Sequence, residues 1–474
     1  MRFLPVLLAL AACSDSPKYP IEKLEDPATC GDCHGQHFQE WSGSMHAYAS
    51  DDPVFVAMNK RGQRETNDQL GTFCVQCHAP MAVARGETDG TDYDPTQLTP
   101  QARGITCYFC HDVENVAADH DNGLVLALDD TMRGGVADPS DNDAHHDRFD
   151  PLMAGATNQS KMCGSCHDVV TPAGVALGRT YQEWQTTVFA TSSPPNGLTC
   201  SQCHMGTNVD PATDVIGAKA GLTFQHRPYS FHEHMWLGID QAYTPFAGTA
   251  ALAAQAMDIA RDLDPALTIV GPTPIGKTIG EGGICVTHEG NITVRMDTRG
   301  TGHMWPSGAA QDRRAWLELV AYDASNAVVF QSGDVGPQQD PEDLGDPNLV
   351  GLWDRAVKAD GTPAHFPWEV VNPEVSNLLK APVTLDQNSP LFDHSTTALF
   401  AVGPSLASTI DHITARVRIR PVTYAVLNDL VSSGDLDPMY AATIPTLDLA
   451  GADRTWTKAT VDSTTDGCDY SPYQ

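Results

Sequence analysis

The chain has 474 residues, enough for two or three domains and too many for one ordinary core. Lys and Arg number 28 against 60 Asp and Glu, and the resulting net charge of −32 argues against nucleic acid or an anionic membrane surface as a partner. With 39 Gly and 33 Pro, long irregular connections are expected, as in a chain whose interior is filled by something besides secondary structure.

Met1 to Cys13 reads as an export signal, with Arg2 supplying positive charge ahead of the short apolar run Phe3 to Ala12. That run is too short to span a membrane as a stable helix. Its end, Leu10-Ala11-Ala12-Cys13, resembles a bacterial lipobox, in which cleavage leaves Cys13 as a lipidated N-terminus. The alternative is an ordinary signal peptide with an unrelated Cys. An exported protein is expected, periplasmic or held at the outer membrane, with lipid as its membrane anchor because no later segment has a long uncharged apolar run. Residues 14–29, punctuated by Pro17, Pro20 and Pro27, have the composition of a tether.

From Cys30 to His204 the pattern Cys-x-x-Cys-His occurs five times: Cys30/Cys33/His34, Cys74/Cys77/His78, Cys107/Cys110/His111, Cys163/Cys166/His167 and Cys200/Cys203/His204. In this spacing two thiols can add to the vinyl groups of a haem while the next residue brings its imidazole to the iron. Thirteen Cys and eighteen His placed at random would give roughly 0.01 such patterns in a chain of this length. Structural zinc does not demand a His after every second Cys. Disulfides across two intervening residues would be strained redox elements. Each copy therefore reads as one covalently held c-type haem, giving five haem irons with His34, His78, His111, His167 and His204 as ligands.

Between and after these motifs lie further histidines. Phe38, Trp41 and Met45 have helical spacing and lead to His46. Asp119 to Asp150 is Asp-rich and poorly periodic, reads as loop, and carries His120, His145 and His146; a long loop inside a domain is tolerable if one of its histidines is tied to an iron. Thr180-x-x-Glu183 has the form of a capping box opening a helix with Tyr181, Trp184 and Val188 on one face. His226, His232 and His234 form a dense group after the fifth motif. Residues 250–266 have helical spacing and are expected to link the haem domain, residues 30–249, to a second domain over residues 267–474.

In that second domain the periodicity becomes two. Ile292, Val294 and Met296 alternate with polar residues, as do Ile413, Ala415, Val417 and Ile419; Trp316–Tyr322, Val328–Phe330 and Ala398–Val402 are further strands. Several short strands with turns between them predict an antiparallel β-sandwich, with one helix near Pro421–Val431. The fold class expected overall is a mostly irregular and helical multihaem domain followed by that sandwich. Gly302-His303-Met304-Trp305-Pro306 stands out as a histidine in a turn-rich loop, and Cys285 and Cys468 can pair in an exported chain.

Trp41-x-x-Ser44-x-His46-Ala47, Cys77-His78-Ala79-Pro80, Glu183-Trp184 ahead of Cys200-x-x-Cys203-His204-Met205, and Gly302-His303 followed by Pro306-x-Gly308 together resemble multihaem cytochromes c of the hydroxylamine-oxidoreductase and cytochrome c-554-like group. In particular, the chain is similar to members in which an immunoglobulin-like sandwich follows the haems. The resemblance implies that His46, His145, His234 and His303 serve as sixth ligands of haems other than the one bound nearby, with His146 the rival of His145 and His232 of His234. For the fifth iron, His37, His120, His226 or an open position all remain. Two imidazoles per iron leave no room for substrate and lower the potential relative to His/Met ligation, so the leading reading is an electron carrier working with other redox proteins. The alternatives are an oxidoreductase acting on a small nitrogen or sulfur compound at one open haem, although no motif replaces its proximal His with Lys, and a subunit of an extracellular haem filament.

Overall fold

The computed structural model describes residues 18–136, 139, 142–154, 156–192, 197–205, 233–236, 238–246, 283–298, 301–374, 376–386 and 388–460. Cys13, His226, His232, Cys468 and the expected linking helix at 250–266 lie outside the described residues. Cys285 is disulfide-bonded, and because the ten motif cysteines are free thiols its partner also lies outside them.

In the first half, short helices alternate with irregular chain. Four of the Cys-x-x-Cys-His copies are each built around about one helical turn, and the fourth closes the longer helix Ala156–His167. A helical turn brings residues i, i+3 and i+4 to one face, which is why both thiols and the imidazole of a motif can address one group. Local capping fixes several of these turns. Thr106 Oγ1 accepts from Phe109 N at 3.2 Å, and Thr199 forms a reciprocal capping box with Gln202 ahead of Cys200.

Two expectations change here. The run from Phe38 to Met45 is not one helix: Gly35–Ser42 ends at Gly43, and Ser44 caps a new turn, Met45–Tyr48, that carries His46. The region Asp119–Asp150 is not bare loop, because Leu124–Leu126 pairs with Val113–Val116 and Thr131–Gly134 runs parallel to His146–Phe149. Their period-two signal is too short to be seen in a sequence rich in Asp.

The second half contains two antiparallel sheets. The larger orders Val328–Ser332, Arg314–Asp323, Ile410–Arg420 and Leu447–Thr457 side by side, with Val350–Leu352 also paired to Arg314–Asp323; the smaller orders Thr396–Ala401, Asn291–Met296 and Ile284–Val286. Alternation places Ile292, Val294, Met296 and Phe400 of the small sheet against Leu317, Leu319, Ile413, Ala415, Val417 and Ile419 of the large one in one core. This is the expected sandwich, with the helix Tyr424–Ser432 appended to it. That helix packs Leu427 and Leu430 with Phe366 against Val54 and Ala57 of Pro53–Thr66, so an apolar seam joins the two halves. No helix among the described residues is long and apolar enough to cross a membrane.

Candidate functional site

The five motif histidines lie in the first half, and segments distant in sequence bring further imidazoles to three of them. The His46 ring lies 6.3 Å from that of His167, His303 lies 6.3 Å from His204, and His234 lies 6.4 Å from His111. An imidazole nitrogen sits about 2 Å from the metal it binds, so two imidazoles on opposite sides of one metal ion have centroids roughly 6.3 Å apart. The three pairs fit that requirement.

Burial favours the uncharged form of six of these rings, the form that ligation requires. It pushes His34, His78 and His303 down to about 4 and His46 to about 3, and it also lowers His111 and His167. Backbone carbonyls orient several of the rings: the Nδ1 of His111 meets Arg133 O at 2.7 Å, that of His303 meets Met304 O at 2.7 Å, and that of His78 meets Ala49 O at 3.3 Å. An Nδ1–H donating to a carbonyl leaves Nε2 as the free lone pair. His46 differs, since its Nδ1 is buried without a hydrogen-bond partner among the described residues.

His145 approaches the first motif. It is the charged neighbour with the largest effect on His34, it acts on Cys30, and it is mostly buried where its rival His146 is half exposed. The ring of His37 also lies 6.5 Å from that of His34. Three residues apart on one helical stretch, however, the two share a face and cannot oppose each other across a planar group held by Cys30 and Cys33. His37 instead contacts His234 at 4.6 Å, and Glu40 accepts from the backbone N of His234 at 2.9 Å. His120 pairs with Asp119 near the surface.

The second motif stands apart. Phe55 stacks on His78 at 4.0 Å and 2°, and among the described residues no second imidazole faces that ring.

The thiols of different motifs also touch. Cys30 neighbours Cys107, Cys77 neighbours Cys166, and Cys163 neighbours Cys200, each pair close enough for one thiol to act on the other electrostatically. Cys110 acts electrostatically on both Cys163 and Cys166. The first motif therefore adjoins the third, the third adjoins the fourth, and the fourth adjoins both the second and the fifth. Gly164 of the fourth motif has no room for a Cβ, which would lie 2.3 Å from Tyr181 Cγ. Gly104, at φ +66°, lets the approach to the third motif pass the carbonyls of His46 and Ala47.

Glu183, part of the resemblance as Glu183-Trp184, reads locally as half of a capping box, and that box does not form. The helix Thr180–Gln185 is preceded by Arg179 with no side-chain cap. Glu183 Oε2 instead accepts from Ser307 Oγ at 2.7 Å and Met304 N at 3.2 Å, and Thr180 Oγ1 bonds Ser307 Oγ at 2.7 Å. Both residues clamp the loop that carries His303.

Residues 29–112 match the family model described as cytochrome c554 and c-prime. The whole fold is similar to that of a penta-haem cytochrome c552 from Thermochromatium tepidum, with 18% identity and a TM-score of 0.57 over 92% of this chain and 99% of that one. No curated protein matches the sequence. These matches support a multihaem cytochrome c, with covalently held haem iron and electron transfer as its general role.

Proposed function

We propose that the chain carries electrons between redox partners at the cell envelope through five c-type haems, most of them held by two imidazoles. The observation that carries this reading is the set of facing imidazole pairs, each matched to one metal in separation and each supplied by a segment far from the motif it meets. On this reading His46 serves the iron of His167, His234 that of His111 and His303 that of His204, in keeping with their ring separations, and His145 serves the iron of the first motif, which it neighbours. Bound haem supplies a reversible one-electron couple at each iron. The protein would supply the imidazole ligands, the spacing between the groups and the local dielectric around them. Cys13 as a lipidated anchor, an immunoglobulin-like ancestry of the sandwich, and kinship with the hydroxylamine-oxidoreductase group complete the proposal.

One observation favours a second reading, an oxidoreductase for a small nitrogen or sulfur compound. Phe55 packs on His78, and no imidazole among the described residues faces it, so the second motif is the place where a haem would keep a coordination position for substrate. Electron paramagnetic resonance and optical spectra of the purified protein separate the two. Five low-spin signals with no uptake of cyanide or nitrite support the carrier, whereas one high-spin signal that either ligand abolishes supports the enzyme. A colourless product with the mass of polypeptide and lipid would overturn both.

A further inference from the structure

The distal imidazoles differ in what their second nitrogen meets. His145 Nδ1 lies 3.2 Å from an Asp147 carboxylate oxygen and 3.2 Å from the carbonyl of His146. Asn142 also bonds Asp147 and fixes its orientation. His303 Nδ1 meets one neutral carbonyl, that of Met304. His46 Nδ1 is buried and meets none among the described residues; its ring is covered by Trp236 at 4.5 Å, and the backbone carbonyls of His46 and Ala47 are turned to the chain at Gly104 and Ile105.

A hydrogen bond to the outer nitrogen makes an imidazole a stronger donor to its metal, and a carboxylate does this more strongly than a carbonyl, adding its own negative charge. Stronger donation and nearby negative charge both stabilise the ferric state and lower the potential. An apolar cover without an acceptor acts in the opposite direction.

We propose that these contacts grade the haem potentials, so that the iron between His46 and His167 is the most oxidising of the three sites, that between His303 and His204 is intermediate, and the iron that takes His145 as its ligand is the most reducing. This rests on the bis-imidazole reading above. The fourth motif is also the junction, adjoining the second, third and fifth through its thiols and their fields. The gradient therefore makes the branch point the preferred seat of a shared electron and the His145 site the place it leaves most readily.

The test is a spectroelectrochemical redox titration of the full haem-loaded protein, with paramagnetic resonance confirming low-spin haem. Asp147→Asn should move the most negative of these components to more positive potential and leave the rest in place, while Asp147→Glu should return it toward the parent. His46→Met should move the most positive of them further up and add a thioether-to-iron charge-transfer band. Full haem content with no component shifted by Asp147→Asn would overturn the gradient, as would His46→Met acting on a component at the negative end. Absence of low-spin bis-imidazole signals in the parent protein would instead overturn the electron-carrier reading on which the gradient stands.

Discussion

The two halves of this chain are held together by different means. In the sandwich, Phe400, Leu317, Ile413 and their neighbours form one continuous buried cluster between two sheets. In the first half the apolar clusters are small, such as Leu24, Met81, Tyr108 and Phe109 or Ala79, Ala82, Leu98 and Ala102. The motif thiols there are mostly only partly buried and add little to those clusters. Polar rings without charge and thiols without disulfides are a poor source of folding energy by themselves. The second half should therefore stand on its hydrophobic core, whereas the first half depends on the groups its motifs bind.

The comparison can be broken most directly at the junction. Cys163→Ala with Cys166→Ala should remove one haem and disturb the neighbours that touch it, seen as a haem count below the parent value and loss of protease resistance in the first half, while sandwich fragments persist. Phe400→Ala is the converse: it should cost about 3–5 kcal/mol of sandwich stability, measured by chemical denaturation, with the haem spectrum unchanged below the transition.

His394 gives the sandwich a pH signature. Burial works against its charge, but the Asp297 carboxylate, 2.9 Å away, raises it above the ordinary His value of 6.5. A raised folded value means that the pair's stabilisation is fully present below about pH 6.5 and is lost as pH climbs through the folded value. His394→Gln should lower stability by about 1–3 kcal/mol at pH 6 and flatten its dependence on pH above that point.

Glu183→Gln tests whether the sandwich serves the haem half. Weakening the clamp on Met304 and Ser307 should cost about 1–2 kcal/mol and increase the high-spin fraction at one haem in the optical spectrum. The smallest effect is expected at the seam's edge. Arg64 pairs with Asp435 at 2.5 Å but is half exposed, so Arg64→Ala should change the melting free energy by no more than about 1 kcal/mol.

How much of this was legible beforehand follows the same division. The strands of the sandwich could be read because each face repeats every second residue, and Ile292 through Met296 and Ile413 through Ile419 fall where the alternation put them. The motifs could be read because covalent chemistry fixes their spacing. What joins them could not. Nothing local in Ser44-Met45-His46 says that it meets His167, because that meeting is set by Gly104 letting two segments pass and by Trp236 arriving from far along the chain. The role of Glu183 was hidden for a related reason: a carboxylate at a cap position looks the same whether it serves its own helix or a distant loop. His145 and His146 are adjacent, and only their opposite exposure separates them.

The pairing of His303 with His204 has a bearing on biogenesis. If one iron draws its two nitrogens from opposite halves of the polypeptide, it cannot be completed until the C-terminal half has been synthesised and folded around Glu183 and Ser307. Metal centres finished in this way report on the whole molecule: a truncated or misfolded tail would leave a visible mark at a distant motif, and colour becomes a proofreading signal for the last part of the chain to arrive.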